Sequence, residues 1–232
     1  MQAVILAAGK GTRMKDLTEE VPKPMLEVLG KTLLEHKFDE LPETVREVIL
    51  VIGYHGDVIR NRFGDSYNGR SIRYVVQETL DGTMGAVSKA KELIENRFLV
   101  MMGDDLYARA DIQRCVDSKD WALVAEETTH MASGGKVVTD EHGVILDIVE
   151  GEHHGTEGLM NTNLFVLDAR IFGEPMVPKS SGSSEFGLPQ TVLPAAKRLG
   201  IPLHVIPVTS WIQITAPEDI KRAEERLRAN AV

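Results

Sequence analysis

The first fourteen residues, Met1 to Met14, read MQAVILAAGKGTRM. Ala3 to Ala7 form an apolar run of the kind that makes a buried parallel strand. Gly9, Lys10, Gly11, Thr12 and Arg13 follow. Glycines two apart let the backbone turn tightly and approach a ligand with no Cβ in the way. Successive N–H groups in such a turn can form an anion nest. Lys10 and Arg13 add positive charge, and a planar guanidinium grips phosphate oxygens in pairs. A strand running into a basic, glycine-rich loop predicts a phosphate site at the carboxyl edge of a sheet. A solvated strand-to-helix turn is the plain alternative. Two better-known glycine motifs do not fit. G-x-G-x-x-G would need a glycine where Met14 stands, and no G-x-x-x-x-G-K-[ST] spacing occurs here.

Working outward, 232 residues suffice for one sizeable α/β domain or two small ones. The apolar share of 43% and charged share of 26% are ordinary for a globular protein. No apolar run reaches the roughly 18–20 residues of a membrane span. The amino terminus shows no basic segment leading into a cleavable apolar core, so no signal peptide is expected and the expected compartment is cytoplasmic. Cys115 is alone, which leaves no internal disulfide and no cysteine metal cluster. A net charge of −9 argues against general nucleic-acid binding but is compatible with a local basic pocket.

Apolar runs predict strands at Val48 to Ile52, Ile72 to Val76, Phe98 to Met102, Ala122 to Ala125, Val144 to Val149, Asn163 to Leu167 and Leu203 to Ile206. Helical patterns fall at Thr32 to Leu41, Asp57 to Phe63, Met84 to Glu95, Leu188 to Leu199 and Pro217 to Ala229. The early βαβαβ order predicts an α/β fold: a doubly wound, mostly parallel, Rossmann-like sheet. The strand-rich middle third predicts an antiparallel addition on the sheet edge. One domain is expected, with a first part over about 1–120, a second over about 121–215 and a terminal helix at 217–229. Ser180 to Ser184 reads as a flexible loop.

The string LAAGKGTRM, followed by Pro22-Lys23-Pro24-Met25, resembles the signature of nucleotidyltransferases that join a nucleoside triphosphate to a sugar 1-phosphate. The resemblance covers nearly the whole chain. It implies that Ala8, Gly9, Gly11, Thr12 and Arg13 bind the nucleotide, with Arg13 on the departing pyrophosphate. Pro24 is expected to push Lys23 toward an extended backbone, which limits where its side chain points. By resemblance Lys23 offsets charge at the α-phosphoryl group; an exposed lysine in a turn is the plain alternative.

Gln77 carries both a donor and an acceptor, which suits the edge of uracil or thymine. The block Gln77 to Ala86 resembles the family's base-reading segment, with Gly82 letting the base approach and Thr83 at a helix start. Phe98 to Asp105 is an apolar strand ending in Gly-Asp-Asp, which puts carboxylates at the same sheet edge. The family's metal-binding aspartate maps to Asp104, and Mg²⁺ suits one or two carboxylates plus substrate phosphates. On the acceptor side the matches are Gly135, Glu150 and Asn161. Gly151 stands where relatives have a lysine that contacts the sugar phosphate. Gln213 stands where relatives have the second metal ligand, usually aspartate; an amide oxygen can bind a hard cation, without the charge.

The resemblance therefore implies transfer of a nucleoside monophosphate from an NTP, UTP or dTTP favoured, to a sugar 1-phosphate. Two alternatives stay open: a cytidylyltransferase acting on phosphocholine or another small phosphate, and a nucleotide-binding regulatory protein of impaired turnover. The chain length leaves no room for the carboxy-terminal β-helix of some relatives, so acyltransferase activity is not expected. The adjacent His153 and His154 point apart and make no convincing metal site.

Overall fold

In the computed structural model, which describes residues 1–208 and 210–230, the opening apolar run is β1 (Gln2–Ala7), buried from Ala3 onward. The chain then forms β2 (Glu27–Val28), β3 (Lys31–Thr32), α1 (Leu33–Glu40), β4 (Glu47–Ile52), α2 (Gly56–Phe63), β5 (Ser66–Tyr67) and β6 (Arg70–Val76). Next come α3 (Thr83–Ser88), β7 (Arg97–Met102), β8 (Asp105–Tyr107), α4 (Arg109–Asp117), β9 (Trp121–Thr139) and β10 (Ile145–Asp168). The chain closes with α5 (Leu188–Leu199), β11 (Leu203–Pro207), β12 (Trp211–Gln213) and α6 (Pro217–Asn230).

Eight strands share one sheet, in the order β11-β9-β10-β7-β1-β4-β6-β5. The run β7-β1-β4-β6 is parallel throughout. β1 lies at its centre, with β4 on one side and β7 on the other. The order of winding reverses between β1 and β7, so their carboxyl ends diverge into a crevice. The sheet has helices on both faces because β1 alternates its side chains. Val4 and Leu6 join a core with residues of α3 and α5. Ala3, Ile5 and Ala7 join a second core with residues of α1, α2 and α4. A satellite cluster of Met14, Leu26, Leu106, Ile212 and Ala223 seats α6 beside the opening loop.

The expected antiparallel addition lies on the β7 edge of the parallel run and continues the same sheet. β10 runs antiparallel to both β7 and β9, and β11 is parallel to β9. β9 and β10 bend sharply. Their inner halves pair Ala122 with Val166, and their outer halves pair Thr139 with Ile145. The outer hairpin curls back so that Leu159 pairs with both Glu127 and Val137. The polar, glycine-bearing middle of these strands is why the sequence shows only their apolar ends.

Two helical expectations change. The predicted helix from Met84 to Glu95 is shorter: α3 ends at Ser88 and a 3-10 turn covers Lys91–Leu93. That turn lets Ala90 and Leu93 reach the core, and the Leu93 carbonyl accepts from Gln2 Nε2 at 2.7 Å. The structure also adds α4, where the sequence reading places no element. Its signal is Ile112 and Cys115, three apart and both fully buried.

Candidate active site

The β1–β7 crevice opens into a cleft of about 520 Å³. Its floor is Leu6, Ala7 and Ala8 at the end of β1 and Met102 at the end of β7. The two strand ends are tied together, since Gly103 N donates to Leu6 O at 2.8 Å. Gly9, Gly11, Thr12 and Arg13 form one wall. Among the described residues, no hydrogen bond runs from the N–H groups of Gly9 to Arg13 to a protein acceptor. Such a loop presents donors to the cleft. Gly11 adopts φ +63°, and a Cβ there would lie 2.8 Å from Lys23 Cβ. Only glycine lets the loop rest on Lys23 in this way.

Lys23 is not extended, contrary to the bias expected from Pro24. It opens a 3-10 turn (Lys23–Met25), and Pro22 is the extended residue, at φ −70° and ψ 149°. Two backbone bonds offset the steric bias: Met25 N to Pro22 O at 2.8 Å and Leu26 N to Lys23 O at 3.0 Å. The turn aims a nearly buried ammonium into the cleft, where Nζ pairs with Asp104 Oδ2 at 2.5 Å.

Asp105 also lines the cleft but is only 3% exposed. Burial pushes its carboxyl up, to about 7; the Asp104 charge adds to this and the Lys37 ammonium opposes it. Lys37 is buried from the other side, and its Nζ has no hydrogen-bond partner. Burial lowers its ammonium, against the pull of Asp105 and then Asp104. The Tyr107 hydroxyl has one proton. It donates to Thr162 O at 2.6 Å and stands 3.3 Å from Asp105 Oδ2. Lys23, Asp104 and Asp105 thus share the deep wall, and the Lys37 ammonium, buried behind it, adds a further counter-charge without lining the cleft.

Gln77 is buried at the end of β6, and its amide donors are already committed. Nε2 donates to Asp81 Oδ1 at 2.7 Å and to Gly82 O at 3.1 Å. Both partners are acceptors, which fixes the amide orientation and leaves Oε1 for a ligand. Gly82, at φ +95°, lies so close to Phe186 that a Cβ would meet its carbonyl oxygen. This approach staples the segment leading into α3 to a hairpin over residues 177–187. Met84 N donates to Phe186 O at 3.0 Å and Phe186 N to Asp81 O at 2.7 Å. Thr83 Oγ1 accepts from Leu188 N at 2.8 Å.

Across the cleft, Glu150 and Asn163 project from β10. Gly135 sits behind Glu150: a Cβ there would lie 2.8 Å from Glu150 Oε1. Asn161 is not on the cleft wall. It is 6% exposed and shapes the wall from behind, Nδ2 donating to Asn163 Oδ1 at 3.1 Å and Oδ1 accepting from Asn163 N at 2.8 Å. Gln213 lines the cleft opposite Asp105 in the β12–β8 register. The sequence reading misses Asn163, Lys179, Glu185 and Gln190, which also line it. Asn163 is the second asparagine of Asn161-Thr162-Asn163, but β10 is irregular there, with Asn163 at φ +59° and a register shift before Leu164, so simple alternation does not place it. The other three come from the hairpin and the start of α5, where no local pattern marks a pocket.

Among the described residues, no cluster of three or more His, Cys, Asp or Glu side chains could hold a metal. The two expected donors, Asp104, part-exposed, and the amide of Gln213, both line the cleft. That set fits a hard cation that completes its shell with phosphate oxygens and water. Cys115 is fully buried and its thiol is pushed up to about 12 by burial, so it is no nucleophile.

A sequence model described as nucleotidyl transferase matches residues 2–187. The chain belongs to the nucleotidyl transferase family. It is 32% identical over 237 residues to the UTP–glucose-1-phosphate uridylyltransferase AglF of Haloferax volcanii, covering 98% of this chain and 97% of that protein. It is 28% identical over 187 residues to the D-glycero-alpha-D-manno-heptose 1-phosphate guanylyltransferase of Campylobacter jejuni, covering 80% and 84%. The crystal structure of HddC from Yersinia pseudotuberculosis superposes with a TM-score of 0.75 at 26% identity, covering 97% of this chain and 99% of that one. HddC has also been solved in complex with GMP-PN. The family members are nucleotidyltransferase enzymes whose named acceptors are sugar 1-phosphates, and the family fold is the mixed α/β sheet described above. No described helix is long and apolar enough to cross a membrane.

Proposed function

We propose that this nucleotidyltransferase transfers a uridylyl group from UTP to a sugar 1-phosphate, releasing pyrophosphate. The observation that carries the reading is the cleft itself: free loop N–H groups and the Lys23–Asp104 pair face Glu150 and Asn163 across one crevice. The Gly9 to Arg13 loop cradles the triphosphate, with Arg13 on the leaving pyrophosphate. A phosphate oxygen of the acceptor bonds to the α-phosphorus, the bond from that phosphorus to the bridging β-oxygen breaks, and pyrophosphate departs with the electron pair. No protein nucleophile is needed. Lys23 sits where charge builds on the α-phosphoryl oxygens, and leaves Asp104 for them. Glu150 accepts from sugar hydroxyls, and Asn163, held by Asn161, adds a second polar contact. Asp104 and Gln213 would hold a Mg²⁺ together with the substrate phosphates, and the ion would supply charge neutralisation between the two anions. Water exclusion and alignment are the remaining tasks of the cleft walls.

Gln77 Oε1 suits the N3–H of uracil. The same committed geometry suits guanine N1–H, so GTP is the second reading, favoured by the exhausted donors of Gln77. The phosphocholine alternative is disfavoured, since no aromatic side chain lines the cleft to cage a quaternary ammonium. The test is pyrophosphate release with Mg²⁺ across UTP, dTTP, GTP, CTP and ATP against a panel of sugar 1-phosphates and phosphocholine. Turnover with UTP and a sugar 1-phosphate is the expected result. Nucleotide binding by calorimetry with silence across the grid would replace the reading with that of a binding protein.

A further inference from the structure

The cleft has a cation that neither the opening loop nor the lysine turn accounts for. The side chains carrying positive charge on its walls are Arg13, Lys23 and Lys179. Arg13 belongs to the glycine-rich loop, and Lys23 is bound to Asp104. The acceptor brings a phosphate of its own, so its half of the cleft needs a cation. Gly151, next to Glu150, supplies none.

Resting on the reading above, we propose that Lys179 is the residue that binds the phosphate of the acceptor. It stands on the hairpin over residues 177–187, which leads into α5, and α5 packs on β10, the strand that carries Glu150 and Asn163. The hairpin is ordered by its own bonds. Lys179 N donates to Glu185 O at 2.7 Å, Gly187 N to Val177 O at 3.1 Å, and Ser183 N to Ser180 O at 3.0 Å. The Phe186 contacts with Asp81 and Met84 fix its base against the segment that bears Gln77. Lys179 thus hangs from a frame anchored to the nucleotide side, and it lines the same cleft as Glu150 and Asn163. Nζ is 3.6 Å from Glu185 Oε2, in a pair whose members are both well exposed. Such a pair is weak. A phosphate dianion competes well against it, because it offers more charge and more acceptor oxygens. Glu185 is the counter-ion that holds the ammonium at the cleft until then.

The test compares wild type with Lys179→Ala and Lys179→Arg, using the best acceptor from the substrate grid. Lys179→Ala should raise the acceptor KM about 10- to 100-fold, the size of one charged phosphate contact, and change the nucleotide KM less than about threefold. Lys179→Arg should restore most of the acceptor KM. Inorganic phosphate should inhibit wild type competitively against the acceptor and inhibit Lys179→Ala more weakly. An unchanged acceptor KM overturns the proposal, as does a rise confined to the nucleotide. Lys179→Met, checked by melting temperature, serves if the alanine variant folds poorly. A wild type that turns over no acceptor on the grid sinks the enzymatic reading instead, a result separate from these.

Discussion

At Lys23 and Asp104 two side chains 81 positions apart in the chain meet at 2.5 Å, at the end of adjacent parallel strands. The pair holds the ammonium still before substrate arrives, so little ordering remains to be done in the reaction. Lys23→Ala should lower kcat by about 10²- to 10³-fold while the Kd for UTP rises much less; equal losses in rate and in calorimetric affinity would remove the transition-state role. The basic loop, Lys23, Asp104 and Gln77 are legible in sequence because each lies within a short contiguous block whose spacing carries the signal. Asn161 and Asn163 are not separable that way. They lie at an irregular point of β10, where Asn163 takes φ +59°, and only the tertiary structure decides that Asn161 supports and Asn163 faces the cleft. Lys179 carried no local mark at all.

Elements hold these residues in place. α1 begins with a full capping box: Thr32 Oγ1 accepts from Glu35 N at 3.1 Å and Glu35 Oε2 accepts from Thr32 N at 2.8 Å. Burial works to raise the Glu35 carboxyl, but the Thr32 N–H, the Arg62 guanidinium and the Thr32 hydroxyl outweigh it and hold it below the usual range. A depressed folded-state pKa stabilises above the unfolded value, about 4.3 for glutamate, and that stabilisation is lost as pH falls through the lower folded value. Glu35→Gln should therefore cost about 1–2 kcal/mol near neutral pH. Denaturant melts of the two proteins should converge as pH drops below about 4; a gap constant with pH would assign the cost to packing. The hairpin over 177–187 depends on Gly82. Gly82→Ala adds a strained φ and a collision with the Phe186 carbonyl, costing about 1–3 kcal/mol. Its earliest sign should be faster limited proteolysis at residues 179–185 than in the wild type. Helix ends were less legible than helix cores. α3 stops early because Ala90 and Leu93 reach the core through a tighter turn, which periodicity does not reveal.

For the molecule as a whole, the cleft lies between elements drawn from β1, β7, β10, the hairpin and β12, so a ligand bound there ties together strands of the main sheet and elements outside it. UTP with Mg²⁺ at about 100 times its Kd should stabilise the fold by about 2.7 kcal/mol, a rise of about 5–10 °C in melting temperature. A matching rise with GTP and none with UTP would transfer the base assignment to guanine. The sequence by itself determined that β1 is a buried parallel strand, that helices cover both faces of its sheet and that a basic loop meets carboxylates at one edge. Those features rest on local periodicity, glycine chemistry and short spacings, which survive in one dimension. Only the tertiary structure decided that β10 runs antiparallel beside β7, that β9 and β10 curl into one bent hairpin, and that the hairpin over 177–187 closes on Gly82. These are pairings between residues tens of positions apart. Their energies come from packing and backbone bonding across the fold, and no short window of sequence contains both partners.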